Sequence, residues 1–244
     1  MNDRPAALNA AKRKIGILPQ PTESTCGPTC LHAVYSYFGQ SCDLQSLIND
    51  VPETENGGTF SVILALHALR SGFAATIFSY NLRTFDPTWE GLSSEEIAAK
   101  LETRLHRTRS QKARANLKAY VDFLNEGGRL SFEELTPRLL KRILKNDTPI
   151  IAGLSSTHLY RDSRLNKEGE PDDVHGEPEG HFVIITDWDA SESKFVVADP
   201  YRKNPVSSEQ IYGVDVHRLI NSILLGIVTY DANLLVIEPQ GNTK

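Results

Sequence analysis

The chain has 244 residues, 40% of them hydrophobic and 23% charged, which supplies a substantial core and suits one domain with an insertion. A formal net charge of −5 argues against a dedicated nucleic-acid binder. Three cysteines cannot all pair within the chain, residues 1–14 lack the apolar centre of a signal sequence, and no later run reaches membrane-spanning length. These features read as a soluble, reduced, cytoplasmic protein with no membrane span.

In chain order, the first predicted element is a helix opening at Cys26, with Cys30, Leu31, Val34, Tyr35 and Phe38 at helical spacing and a stop at Gly39. Pro28 falls in its first turn, where a missing N–H costs nothing. A second helix follows Gly57 and Gly58, with Thr59 as its N-cap and Val62, Ile63, Leu66 and Leu69 on the apolar face. It ends near Gly72, and Phe73 to Ser79 reads as a strand.

From about 81 to 147 the pattern is mostly helical and reads as a separable insertion. Ser93 with Glu96, and Ser131 with Glu134, each have capping-box spacing. Ile97, Leu101 and Leu105 continue the first helix, and Leu117, Tyr120, Val121 and Leu124 mark another. Strands then resume at Thr148 to Leu154, His181 to Trp188, Phe195 to Asp199 and Asn233 to Ile237. This order predicts an α+β fold over 1–244, a single domain with helices against one face of a mostly antiparallel sheet.

Cys26 stands at the polar mouth of a helix, where backbone N–H groups and the helix dipole favour a thiolate. Gln20 can turn its amide toward the same sulfur as an oxyanion donor. Cys30, one turn later on the apolar stripe, reads as core, and Cys42 lies in a polar turn with no catalytic signal. Far along the chain, His181 opens one strand and Asp199 closes the next. If Ala190 is the apex of the hairpin between them, the two residues stand directly opposite, with Cβ atoms ~5 Å apart. Asp187, six residues along the same strand and roughly 20 Å away, is then out of reach. The set predicts a nucleophile, a general base and an orienting carboxylate.

Gln20, Cys26-Gly27-Pro28-Thr29-Cys30-Leu31, a second helix entered through Gly57-Gly58-Thr59, Gly180-His181-Phe182 and Val197-Ala198-Asp199-Pro200 together resemble the bacteriocin-processing, double-glycine leader peptidases. These are papain-like cysteine peptidases. The resemblance covers about residues 15–80 and 148–201. It implies a papain-like cysteine peptidase fold, cleavage of peptide bonds in a peptide or protein substrate, and no cofactor. By it Cys26 is the nucleophile, His181 the base, Asp199 its orienter and Gln20 the oxyanion-hole residue. The best-known members begin membrane transporters, so this chain resembles a stand-alone member.

Gly27, Gly180 and His158 are the expected substrate-binding residues. Asp172, Asp173, His175, Glu177 and Glu179 form an acidic loop before His181, read as a solvated border of the cleft rather than a metal site. Arg104, Arg107, Arg109, Lys112, Arg114 and Lys118 read as a solvated helical surface. Two other functions remain open on the sequence: an amidase or acyltransferase on the same machinery, and a catalytically silent peptide-binding module.

Overall fold

Local chemistry sets most element boundaries. The computed structural model describes residues 14–54, 57–229 and 231–241; the expectation about a signal sequence concerns positions 1–13, outside the described residues, and position 14. Helix α1 spans Cys26–Tyr37, and α2 spans Leu44–Asp50, capped by Asp43, whose carboxylate accepts from the Ser46 N–H. Helix α3 covers Ser61–Arg70 and strand β1 Phe73–Ser79. Phe60, not Thr59, is the N-cap of α3, because the Thr59 hydroxyl is spent on the Pro52 carbonyl.

The middle block contains α4 (Ser94–Arg107), α5 (Gln111–Asn125), β2 (Arg129–Ser131) and α6 (Pro137–Leu144). Ser93 and Glu96 form the expected reciprocal capping box. Ser131 and Glu134 do not. Ser131 ends β2, and α6 starts only at Pro137, where Thr136 caps and proline fills the first helical position. Then come β3 (Ile150–Ser155), the short α7 (Ser156–Tyr160), β4 (Gly180–Asp189), β5 (Lys194–Ala198), β6 (Ile211–Asp215), α8 (Val216–Leu225) and β7 (Asn233–Pro239).

The strands form one seven-stranded sheet in the order β2-β1-β7-β3-β4-β5-β6. Every pairing is antiparallel except β1 with β2, so the α+β architecture on a mostly antiparallel sheet is as expected. The helices, however, cover both faces. Ile151, Ile184, Leu235 and Ile237 face one apolar cluster with α1, α3 and α5. Ile150, Ala152, Val183, Ile185, Leu234 and Val236 face the other, with α6 and α8. Both faces of β3 and β4 are therefore dry, which is why their sequences run apolar without alternation.

The helical block is not set apart from this core. Leu117, Tyr120, Phe123 and Leu124 of α5 are buried in the same cluster as Leu31 and Val34 of α1 and Leu64 of α3, while β2 extends the sheet. Among the described residues no helix is long and apolar enough to cross a membrane.

Candidate active site

The site forms at one end of the sheet, where the two layers meet. Helix α1 packs on one face, and the Cys30 thiol donates to the Phe182 carbonyl of β4 at 3.4 Å. Gly27 allows that approach: a Cβ there would stand 2.7 Å from Thr59 Cγ2 and 3.3 Å from Phe182. Alternation along β4 sends His181 to the opposite face from Phe182, and α1 delivers Cys26 to it from across the strand end. Thr25, the N-cap of α1, makes no side-chain cap; its hydroxyl donates to Thr22 instead. The first N–H groups of the helix are thus left without a side-chain cap at the turn that carries the thiol.

His181 is buried and its Nε2 lies 2.9 Å from Asp199 Oδ1. Cys26 acts on the same imidazole, and the two side chains line one cleft. The contact with Asp199 does not arise from the predicted register. The hairpin pairs Ile184 with Ala198 and Ile185 with Val197, with an irregularity before Asp187, which pairs with Val196. Continued toward the site, that register places Val183, not His181, beside Asp199. The turn extends through Ser193, which takes a left-handed φ of 53°, so Ala190 is not its apex. The displacement is two residues, an even number, so His181 and Asp199 stay on one face as diagonal neighbours.

Asp199 is fully buried and accepts four hydrogen bonds. Oδ1 takes His181 and the Tyr201 N–H at 2.9 Å; Oδ2 takes the Tyr160 hydroxyl at 2.8 Å and the Tyr212 hydroxyl at 2.6 Å. Burial alone would raise its carboxyl, but His181 and these donors outweigh it and hold the group below the usual carboxylate range. Burial pulls the His181 imidazole down; Asp199 and Cys26 more than reverse this and raise it to about 10. The Tyr160 and Tyr212 phenols are pushed far up, by burial first and then by Asp199, so both remain donors. Burial likewise raises the Cys30 thiol, which leaves it inert beside Cys26.

Gln20 is tied into the same corner. Its N–H donates to the Pro200 carbonyl at 2.9 Å, next to Asp199, and its side-chain amide donates to Thr22 at 3.0 Å. One further amide hydrogen remains, and Gln20 Oε1 is buried with no hydrogen-bond partner among the described residues. Gln210, which the sequence did not point to, fastens this corner by donating to the carbonyls of Asp199 and Pro200 at 3.0 and 3.3 Å.

A cleft of about 740 Å³ opens on Cys26 and His181. Gly180 lines it, as do Glu177 and Glu179 from the acidic loop. His158 does not: it points to α8, where its Nδ1 lies 3.0 Å from Ser222 Oγ, because α7 turns that side chain away from the strand ends. Gly27 packs behind the cleft rather than lining it. The basic stretch divides. Lys112 reaches the cleft, while Arg104 and Arg114 are held by backbone carbonyls. Tyr212, Gln210 and Asp231, the last a buried carboxyl in the cleft wall, are the site residues that sequence reasoning passed over.

No family model and no curated protein matches the chain. Solved structures are similar to it at low identity. One is a chain from Bacillus anthracis described as a C39-like peptidase, 12% identical, TM-score 0.46, covering 91% of this chain and 94% of its own. Another is a double-glycine-motif protease from an AMS/PCAT transporter in complex with the leader peptide, 12% identical, TM-score 0.45, with 95% and 96% covered. A third is the peptidase domain of Streptococcus ComA, a bifunctional ABC transporter of a quorum-sensing pathway, 13% identical, TM-score 0.44, with 93% and 100% covered.

Proposed function

We propose that this protein is a papain-like cysteine peptidase that cleaves a peptide or protein substrate through Cys26, His181 and Asp199. The observation that carries the reading is the buried imidazole of His181, hydrogen-bonded on one side to a four-fold-satisfied carboxylate and facing a helix-mouth thiol on the other. A cysteine placed for structure alone has no need of that partner.

In this mechanism the Cys26 thiolate attacks the scissile carbonyl, and the oxygen that gains charge is met by the Cys26 N–H and the second amide hydrogen of Gln20. As the tetrahedral intermediate collapses, the C–N bond breaks and imidazolium His181 gives its proton to the leaving amine. A water, losing a proton to the now neutral imidazole, attacks the thioester and releases the acid. The thiolate–imidazolium pair is restored. Asp199 keeps Nε2 protonated throughout, so that Nδ1 is the nitrogen facing the sulfur.

The test is to incubate Cys26→Ala protein with extract, recover bound peptide or protein, and offer it to the wild-type enzyme. Cleavage by wild type and by Cys30→Ala, with none by Cys26→Ala, is the expected result. Activity retained in Cys26→Ala, or lost in a folded Cys30→Ala, overturns the assignment.

A further inference from the structure

Asp231 is a carboxyl that the proposed chemistry does not use. It lies just before β7 and is only 7% exposed, yet it forms part of the wall of the catalytic cleft. Its backbone is fixed by a hydrogen bond from its N–H to the Gly226 carbonyl at 2.9 Å. The Thr229 hydroxyl reaches Oδ2 at 2.6 Å, the hydrogen-bond partner of this carboxyl among the described residues. That hydroxyl also lies 3.0 Å from the Gly226 carbonyl, and its single proton serves one acceptor at a time.

The carboxyl shares the cleft with Cys26 and His181 and packs against the residue before His181. A Cβ on Gly180, the residue before His181, would collide with Asp231 Oδ2 and with Thr229. Glycine at 180 therefore leaves room for this carboxyl against the start of β4. Burial pushes Asp231 up to about 7, against the pull of the Thr229 hydroxyl, Lys112 and His181. A buried carboxyl served by one hydroxyl is a group that a cation can complete.

We propose that Asp231 determines specificity, receiving a lysine or arginine side chain of the substrate next to the scissile bond. This rests on the peptidase reading of the cleft. The other charges of the cleft leave room for it: Glu23, Glu177 and Glu179 are matched by Arg83, Lys112 and His181, so an ionised Asp231 is the excess charge that a cationic side chain would balance. Lys112 on α5 and His181 on β4 are the cations that act on Asp231, and Thr229 is the neutral group packed against it. The substrate cation adds to theirs and shifts Asp231 to its ionised form, so binding releases a proton and strengthens as the pH rises through about 7.

The experiment measures binding to the Cys26→Ala protein of glycine- and alanine-based hexapeptides carrying one lysine, arginine, norleucine or citrulline at each position in turn. At one position the lysine and arginine peptides are expected to bind about 10–100-fold tighter than their neutral counterparts at pH 8. The contrast should shrink at pH 6 and fall toward unity when Asp231→Asn is added. In the wild-type background the same preference should appear in KM rather than kcat. Equal binding of charged and neutral peptides at every position, or a preference unchanged in Asp231→Asn, overturns the proposal. Both the charge contrast and its pH dependence are read with Asp231 in place, so a misfolded Asp231→Asn still leaves a decision. Cation-selective binding without cleavage by wild type would sink the peptidase reading and keep the subsite; cleavage without charge preference would do the opposite.

Discussion

Replacing Asp199 by Asn removes one charge from the site and almost nothing else. The asparagine carbonyl can occupy the place of Oδ1 and still accept from His181 Nε2 and the Tyr201 N–H. Its NH2 then meets the Tyr160 and Tyr212 hydroxyls, which can rotate to accept. The fold should survive. The lost term is the attraction between carboxylate and imidazolium, both buried, 2.9 Å apart. At an effective dielectric of about 20 that attraction is on the order of 5 kcal/mol, and the retained hydrogen bond returns part of it. At least about 2.7 kcal/mol should be missing, equivalent to about two pH units on the imidazolium. The assay is kcat/KM against pH on the trapped substrate. The alkaline limb, set by an imidazole at about 10 in the wild type, should move down by about two units or more, so that activity falls about tenfold at pH 9 and toward about 100-fold above pH 10. Asp199→Ala should do worse, because it strands four donors, those of His181 and Tyr212 in buried hydrogen bonds. An Asp199→Asn enzyme with an unmoved alkaline limb, or a damaging Asp187→Asn, would refute this assignment of the orienting group.

Tyr212→Phe leaves Asp199 Oδ2 with Tyr160 alone and should cost about 1.5–3 kcal/mol in urea unfolding at neutral pH. Asp199 is depressed in the folded state, so its stabilising contribution is present above the unfolded value of about 3.9 and lost as pH falls through the folded one. The gap between variant and wild type should accordingly close in acid; a gap independent of pH would mean that Tyr212 acts through packing. Excising about 87–145 with a short linker should abolish the cooperative unfolding transition, since it removes α4, α5, β2 and α6 from both core clusters. A folded excision product that still alkylates at Cys26 would restore the view of the block as separable.

The candidate triad was legible because chemistry restricts which residue types can do the proposed work. A cysteine at a helix mouth, a histidine opening a strand and an aspartate closing the next are few in any chain. Their meeting was reached through a register two residues out, and it survived because side-chain direction in a strand depends only on parity. A one-residue error would have turned His181 and Asp199 to opposite faces. The cover on both faces of the sheet was missed in favour of one face, although the unbroken apolar runs Ile150 to Ala152 and Phe182 to Ile185 carry its signal. Helix α8 also had a signal, Asp215 as N-cap with Leu219 and Ile223 one turn apart. The meeting of Tyr160 and Tyr212 on Asp199, and the place of Asp231 in the cleft, were not legible. Each is brought to the site by a different element, and nothing in a lone tyrosine or aspartate tells which strand end it will meet. Ser131 and Glu134 show the converse, a motif with correct spacing overridden by strand pairing with β1.

The central claim is that Cys26 is activated by His181. Its direct measurement is the rate of iodoacetamide modification at each of the three cysteines as a function of pH, read by mass spectrometry, in wild type and His181→Ala. An ordinary thiol is less than about 1% thiolate at pH 6. Cys42, half-buried and raised by burial, should be slow there, and the fully buried Cys30 slower still. Cys26 is predicted to react at pH 6 at least about tenfold faster than Cys42, and His181→Ala should abolish that advantage. Equal rates at Cys26 and Cys42 across the pH range, or a Cys26 rate unchanged in folded His181→Ala, would contradict it.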